Sequence, residues 1–230
     1  MIANPILGVI FHAIGGLASG SFYIPYKRVR YWAWETYWLA GGFFSWIIAP
    51  WVLALIIVPD VPQIILSTDK STLFWCYFWG AMWGIGGLTF GLTMRYLGIA
   101  LGMAIALGYC AAFGTLMKPL YAHFQGKPDL MNLFTTTPGM WVLGGVAICL
   151  LGIAISGLAG MSKERELSEE QKKATIEEFN FFKGILVATF SGIMSSSMSY
   201  GITAGEPMSQ IALEHNAPVL FQSLPTLIVV

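Results

Sequence analysis

Charged side chains are scarce in this sequence of 230 residues, and their scarcity excludes an ordinary water-soluble domain. Aspartate, glutamate, lysine and arginine together make up 10% of the chain, whereas apolar residues make up 56%. A soluble protein has roughly a quarter of its residues charged. So few charges cannot cover a water-facing surface. The lipid bilayer is the solvent in which the exposed apolar side chains are favourable. We therefore expect an all-α integral membrane protein.

Three further absences narrow the class of protein. Twelve basic residues balance twelve acidic ones, so the chain has no excess positive charge with which to bind nucleic acid. The three cysteines have no CxxC spacing, and none has a neighbouring histidine, so we expect neither a disulfide nor a metal site. HExxH, GxSxG, phosphate-binding glycine loops and paired intramembrane aspartates are absent, so we expect neither an enzyme nor an organic cofactor.

Long apolar runs are abundant instead. A helix needs about 20 mostly apolar residues to cross the hydrocarbon core. Six stretches meet this requirement: 4–24, 36–58, 71–94, 96–117, 138–160 and 183–205. A seventh run begins near Pro218, but the 13 residues left are too few to span, which indicates a truncated or broken last helix. We predict a polytopic bundle of six complete transmembrane helices plus the start of a seventh.

The basic residues predict the orientation of the bundle. Nine lie after segments 1, 3 and 5: Lys27, Arg28, Arg30, Arg95, Lys163, Arg165, Lys172, Lys173 and Lys183. Three lie on the opposite side: Lys70, Lys118 and Lys127. Because cytoplasmic loops carry the excess of lysine and arginine, we expect the N-terminus outside the cytoplasm.

An internal repeat predicts how the chain is divided. At a shift of 176 residues, 8–23 aligns with 184–199, and two glycines and two serines of the first stretch fall on identical residues of the second. The mixed-charge stretch 161–182 separates the two copies. We therefore expect a first five-helix repeat over 1–160, a cytoplasmic linker over 161–182, and the truncated start of a second repeat over 183–230. An odd number of helices inverts the second repeat, as in many secondary transporters.

Ionisable groups inside the membrane are candidates for function because they are costly there. His12 lies near the middle of segment 1, and an imidazole can exchange protons near neutral pH. The alternative is a neutral histidine that is hydrogen-bonded to a neighbouring helix. Glu35, near the cytoplasmic end of segment 2, is a secondary candidate. The simpler alternative is an interfacial acid paired with Arg95 or with a basic loop residue.

Hydroxyl and aromatic side chains could form a site for a polyol. Segment 6 is rich in serine, and we single out Ser195, Ser199 and Tyr200 as hydrogen-bonding candidates. Trp83 and Tyr109 are candidates for packing against a sugar ring, with Trp79 and Gln222 as secondary candidates. The alternative is that the serines bond to backbone and neighbouring helices.

Several motifs resemble one known family. They are His12-Ala-Ile-Gly15, Phe22-Tyr-Ile-Pro25-Tyr-Lys27, Trp32-Ala-Trp-Glu35-Thr, Gly80-Ala-Met-Trp-Gly-Ile-Gly86, Gly91-Leu-Thr-Met-Arg-Tyr-Leu-Gly98, Gly114-Thr-Leu-Met117 and Glu177-Glu-Phe-Asn180. Together they make the chain similar to the L-rhamnose–proton symporters of the drug/metabolite transporter superfamily, over its whole length.

The resemblance implies a ten-helix protein of two inverted repeats that imports L-rhamnose or a related deoxy sugar with a proton by alternating access. The implied location is the bacterial inner membrane. The coupling ion would be a proton, with sodium as the other possibility. Two alternatives stay open: an exporter or exchanger of another small metabolite on the same fold, and a non-transporting membrane receptor. The oligomeric state is not predicted.

Overall fold

In the computed structural model, helices account for every regular element among the residues that the structure describes. The described residues are 5–22, 24–29, 31–124, 126, 128–166 and 180–230. Most of the predicted linker, 167–179, lies outside them, as does Arg30. The chain divides into two units, 1–43 and 44–230, each of which is described here by itself.

Where the structure describes it, the first unit consists of two α-helices and a short connection between them. Helix α1 spans Pro5–Ser21, a 3₁₀ helix spans Ile24–Arg28, and α2 spans Trp34–Gly42. An aromatic cluster packs around the connection. The Tyr26 ring stacks on Tyr37 at 5.3 Å between centroids and lies 6.4 Å from the ring of Trp38, which is buried. Gly41 lets the Tyr26 ring approach the α2 backbone, because a Cβ there would overlap the phenol.

The second unit begins inside a π-helix, Phe43–Ile48, and its described residues form ten further α-helices. These are α3 Ala49–Ile57, α4 Val61–Ser67, α5 Lys70–Leu97, α6 Ile99–Phe124, α7 Asp129–Thr135, α8 Thr137–Glu166, α9 Phe181–Ser195, α10 Ser197–Ala204, α11 Glu206–Glu214 and α12 Leu224–Val229. A 3₁₀ turn, Val219–Phe221, precedes α12.

Four helical stretches among the described residues are long and apolar enough to cross a membrane: Ile6–Tyr26, Glu35–Ile57, Thr137–Ser162 and Phe181–Ala204. They correspond to predicted segments 1, 2, 5 and 6. Helix α5 covers predicted segment 3 with 28 residues, but its tryptophan, tyrosine, threonine and glycine residues make it less apolar. In α6 the apolar part, Leu101–Met117, is shorter. The number of six complete spans therefore stays a prediction.

Two long helices meet at a one-residue turn. Asp69 caps the start of α5, where its Oδ2 accepts a hydrogen bond from the Ser71 backbone N–H at 2.8 Å. Gly98 ends α5 with φ of 76°, in the left-handed region that favours glycine, and α6 starts at the next residue. Segments 3 and 4 thus form a tight helical hairpin.

Contacts along their length show that α5 runs antiparallel to α9 and α10. Leu97 at the end of α5 packs on Gly184 at the start of α9, and Cys76 near the start of α5 lies 3.6 Å from the carbonyl of Gly201 in α10. Helices α6 and α8 are also antiparallel, since Gly108 meets Ile153 and Leu101 meets Gly160. The ends of α5 and α8 and the starts of α6 and α9 therefore share one end of this unit.

Each end of the second unit has its own apolar cluster. At the shared end, Leu97, Ile105, Ile153 and Ala188 join α5, α6, α8 and α9. The other cluster joins α3, α4, α11 and the segment after α11, through Ala54, Val58, Val61, Ile64, Met208, Ala212 and Ala217. The short helices α4, α7 and α11 have no counterpart among the predicted segments, because each is too short to produce a long apolar run.

Candidate functional site

The candidate site of the second unit is a layer of aromatic and small residues near the middle of its long helices. Trp83 lies at the centre of α5, Tyr109 lies near the centre of α6, and Ser195 ends α9 within the span Phe181–Ala204. Each of the three was predicted from the sequence as a site residue. Contacts of α9 with α5 and α6 bring Ser195 and Tyr109 into this layer, and Trp83 lies one turn before Gly86 on α5.

The contact between α5 and α9 depends on a glycine. The Ser191 hydroxyl is buried and donates to the Gly86 carbonyl at 2.9 Å. One turn later, the backbone N and the Oγ of Ser195 each lie 2.6 Å from the position that a Cβ on Gly86 would take. Only a glycine permits this approach, because any larger residue would overlap both Ser195 atoms.

The contact between α9 and α6 depends on a second glycine. A Cβ on Gly192 would lie 2.6 Å from the Cβ of Tyr109 and 3.0 Å from its carbonyl carbon. Helix α9 therefore packs directly against the α6 backbone at Tyr109. The phenol ring is half-buried and lies 5.8 Å from the ring of Phe113. The two glycines of α9 and α5 thus hold Tyr109 and Ser195 in one layer.

Trp83 contacts an aromatic residue that was not predicted from the sequence. Its indole lies 5.5 Å from that of Trp46, with 63° between the ring planes. Trp46 belongs to the π-helix and also lies over Gly87, where a Cβ would be 3.3 Å from its ring. The signal for Trp46 was a tryptophan at the centre of an apolar run, away from the interfaces where this residue usually lies.

A second group of predicted residues lies toward the start of α5. The rings of Trp79 and Tyr200 are 5.0 Å apart at an angle of 33°. The Ser199 hydroxyl donates to the Ser196 carbonyl at 2.8 Å. That bond uses its proton but leaves the oxygen able to accept a hydrogen bond from a ligand.

The remaining predicted residues lie elsewhere. His12 is in the middle of α1 with an exposed side chain, and Glu35 is exposed in the first turn of α2. Both belong to the first unit, so they are not part of the layer described here. Arg95 is half-buried in the last turn of α5, and Gln222 is half-buried after the 3₁₀ turn before α12.

The chemistry available in the layer is that of a neutral polar ligand. Two indoles and a phenol offer π faces to C–H surfaces, and the serines offer hydroxyls. Among the described residues, no three His, Cys, Asp or Glu side chains are grouped so that they could hold a metal ion. The three cysteines are free and lie on different helices, with Cys76 buried and the other two half-buried.

Comparison with known proteins gives one consistent answer. The model of the family described as L-rhamnose-proton symport protein matches residues 1–230. The L-rhamnose-proton symporter of Pectobacterium carotovorum subsp. carotovorum (strain PC1) is 41% identical over 230 residues, which are 100% of this chain and 64% of that protein. The protein of the same name from Yersinia pestis bv. Antiqua (strain Antiqua) is 40% identical over 225 residues, 98% of this chain and 63% of that protein. No solved structure matches.

The chain thus spans about 64% of the length of the curated relatives it matches. The family match nevertheless covers every residue, including the motifs around His12, Gly86, Arg95 and Asn180 from which the resemblance was drawn. The chain therefore belongs to the L-rhamnose-proton symport protein family.

Proposed function

We propose that this protein is a secondary active transporter that imports L-rhamnose or a related deoxy sugar together with a proton. Membership of the family and about 41% identity to a protein named L-rhamnose-proton symporter support this substrate and this coupling ion. No support comes from these comparisons for sodium as the coupling ion. The expected location is the bacterial inner membrane, and the expected cofactor requirement is none.

One observation carries the proposal: Trp83 and Tyr109 lie near the middle of α5 and α6, in one layer with Ser195 near the middle of the span Phe181–Ala204. Secondary transporters bind their substrates near the bilayer midplane, between packed helices. The antiparallel contact of α5 with α9, with glycines at the points of closest approach, supplies such a place. A site there can be reached alternately from either side when neighbouring helices rock.

Each residue has a proposed role. The rings of Trp83 and Tyr109 would pack against the C–H face of the sugar, whereas Ser195, Ser199 and Tyr200 would hydrogen-bond its hydroxyls. Trp79 would position Tyr200 through their ring contact. Gln222, Glu35 and Arg95 are secondary candidates at the edges of the pathway. His12 would exchange the coupling proton, because an imidazole in a membrane span can change its charge near neutral pH.

The architecture proposed for the whole transporter is ten helices in two inverted repeats. The first repeat would be 1–160, the linker 161–182, and the second repeat would begin at 183, with the N-terminus outside the cytoplasm. This orientation is supported by the position of Arg95 and Lys183 at the end of the second unit where α5 stops and α9 starts. Rocking of one repeat against the other would alternate access to the site.

The test is uptake of radiolabelled L-rhamnose into liposomes that contain the purified protein. We expect an inward proton gradient to drive accumulation, a sodium gradient alone to drive none, and His12→Ala to abolish the proton-driven part. The matched control is His215→Ala, because His215 lies outside the proposed site, 3.2 Å from Asp60. Undiminished accumulation by the His12→Ala protein would remove this residue from the coupling mechanism.

Substrate identity is tested separately. Thermal-shift measurements with a panel of monosaccharides at two pH values should show the largest stabilisation by L-rhamnose, because a ligand that binds only the folded state raises the unfolding temperature. Counterflow of labelled L-rhamnose separates a carrier of this sugar from an exporter or exchanger of another small metabolite, because only the first moves the labelled sugar. Saturable binding without flux would instead indicate a receptor.

A further inference from the structure

Trp46 occupies an unusual depth for a tryptophan. Membrane proteins concentrate tryptophan at the two membrane–water interfaces, where the indole N–H meets the headgroups. Trp46 instead lies at the midpoint of the span Glu35–Ile57. Its side chain is 39% exposed, so it is not enclosed by the surrounding helices. Neither interfacial anchoring nor burial in a core accounts for an indole at this depth.

The backbone around Trp46 is also unusual. Residues Phe43–Ile48 form a π-helix within an otherwise α-helical span. π-Helical segments are rare in proteins, and those that occur are often found at functional sites. The wider turn changes the direction in which side chains project. In this span the altered turn carries Trp46, which reaches the central part of α5.

The residue of α5 beneath the Trp46 ring is a glycine, so no side chain separates the ring from the helix backbone. A Cβ on Gly87 would be 3.3 Å from the Cη2 of Trp46 and 3.8 Å from its Cζ2, so the six-membered ring lies over the glycine. Trp83 meets the same indole at an angle of 63°. One turn back on the same face of α5, a Cβ on Gly84 would have nothing within 4 Å. Two angled indoles therefore meet beside a part of α5 where Gly84 and Gly87 carry no side chains and the position of a Gly84 Cβ is open.

We propose that Trp46 is a further substrate-contact residue, whose indole packs against the apolar C–H face of a neutral deoxyhexose while Trp83 forms the second wall. This assignment rests on the proposed function and adds a residue that determines specificity. The bordering residues Trp46, Trp83, Gly84 and Gly87 carry no ionisable group, which suits an uncharged ligand. A deoxy sugar has one hydroxyl fewer than the parent hexose and so offers the rings more C–H surface.

The experiment measures equilibrium binding of radiolabelled L-rhamnose to the intact purified protein and to three variants. Trp46→Phe keeps an aromatic face, and Trp46→Leu removes it. Trp141→Leu is the matched control, because Trp141 lies in α8 and is 78% exposed. We expect the Kd to rise about tenfold in Trp46→Leu, to rise about threefold or less in Trp46→Phe, and to stay within about twofold in Trp141→Leu.

A pair of glycine variants tests the same contact from α5. Gly87→Ala places a methyl group against the Trp46 ring and should weaken binding, whereas Gly152→Ala should not, because a Cβ there would have nothing within 4 Å. Thermal unfolding of each variant separates a loss of binding from a loss of fold. A Trp46→Leu protein with a lowered unfolding temperature but an unchanged Kd would show that the indole only packs, and would overturn the assignment.

Failure of this assignment is distinguishable from failure of the proposed function. If the unmodified protein binds L-rhamnose and Trp46→Leu binds it equally well, only the assignment of Trp46 is wrong. If the unmodified protein binds none of the monosaccharides tested, the proposed function is wrong and the assignment is wrong with it. A loss of L-rhamnose affinity that is small in Trp46→Phe and larger in Trp46→Leu supports both the proposed function and the assignment of Trp46.

Discussion

At the scale of single residues, one serine joins two helices. The side chain of Ser191 is 1% exposed, and its hydroxyl donates to the carbonyl of Gly86 on α5 rather than to its own helix. Most hydroxyls of the described helices instead donate one turn back, as Thr203 does to Ser199 at 2.8 Å. The Ser191 bond therefore holds α9 at a defined position along α5, beside the candidate site.

Removing this bond should lower stability. Hydrogen bonds between membrane helices are worth about 1 kcal/mol, so we expect Ser191→Ala to reduce the free energy of unfolding by about that amount. Thr203→Ala is the control, since its bond lies within one exposed turn and alanine is a better helix former. Unfolding of both variants in detergent, followed by circular dichroism, checks the difference. Equal stability of the two would mean that the Ser191 bond contributes nothing.

At the scale of elements, α9 begins at a joint with the hairpin of α5 and α6. The Asn180 Oδ1 accepts from the Lys183 backbone N–H at 3.0 Å and caps α9, while the Asn180 N–H donates to the Tyr96 carbonyl at 3.1 Å. The Lys183 ammonium lies 4.3 Å from the centre of the Tyr96 ring. Tyr96 and Asn180, which belong to two different motifs of the family resemblance, are therefore in contact.

This joint predicts a graded effect of substitutions at Asn180. Asn180→Ala should cost about 1 kcal/mol of stability, because the N-cap acceptor is lost. Asn180→Ser should keep most of it, since serine caps helices about as well. Both variants retain the backbone N–H that bonds to Tyr96, so the comparison isolates the side chain. The measurement is the unfolding midpoint in detergent, and a loss in Asn180→Ser as large as in Asn180→Ala would contradict the capping role.

The span that follows is divided into two helices near the candidate site. Helix α9 ends at Ser195 and α10 starts at Ser197, with the Ser196 hydroxyl donating to the Ile193 carbonyl at 2.6 Å. The interruption is small, because Ser196 keeps helical dihedrals of φ −63° and ψ −18° and its N–H donates to the Gly192 carbonyl at 3.1 Å. The serine-rich sequence of segment 6 predicted hydroxyls here, but it did not predict the interruption.

At the scale of the whole molecule, the antiparallel packing assigns helix ends to two sides. The ends of α5 and α8 share one side with the start of α9. The short helix α11 follows α10 on the other side, where the Gln210 side chain donates to Glu206 at 2.8 Å. If basic loops are cytoplasmic, as the distribution of lysine and arginine predicts, α11 lies outside the cytoplasm.

Cysteine accessibility tests this orientation. In a protein whose three native cysteines are replaced by alanine, Ser162→Cys near the end of α8 should react with a membrane-impermeant thiol reagent only from the cytoplasmic side. Gln210→Cys should react only from outside in intact cells. Each position serves as the control for the other. Reaction of both from the same side would be incompatible with the antiparallel packing across a membrane.

Much of the fold followed from composition and pattern. Charge scarcity and run length predicted a helical membrane protein, and each predicted segment is helical over most of its described residues, although Gly98 lies in a turn inside predicted segment 4 and Ser196 in a turn inside segment 6. Trp83, Tyr109 and Ser195 were predicted as site residues. The structure places Ser195 against Gly86, one turn from Trp83 on α5, and Tyr109 against Gly192, and their role in binding stays a prediction. Trp46, which we propose as a further contact residue, was not singled out from the sequence, because an apolar run that is long enough to span gives no reason to choose its central aromatic residue.

What the sequence determined by itself was lipid as the solvent, the helical structure of the long apolar segments and the family, since each depends on properties that add up locally along the chain. Only the tertiary structure decided which glycine meets which neighbour. Gly84, Gly86 and Gly87 lie within one turn of α5. Gly84 nevertheless faces open space, Gly86 contacts Ser195 and Gly87 lies under the Trp46 ring. Their local sequence is nearly uniform, and the difference arises because Gly86 projects toward α9, whereas Gly84 and Gly87 share another face that Trp46 covers only at Gly87.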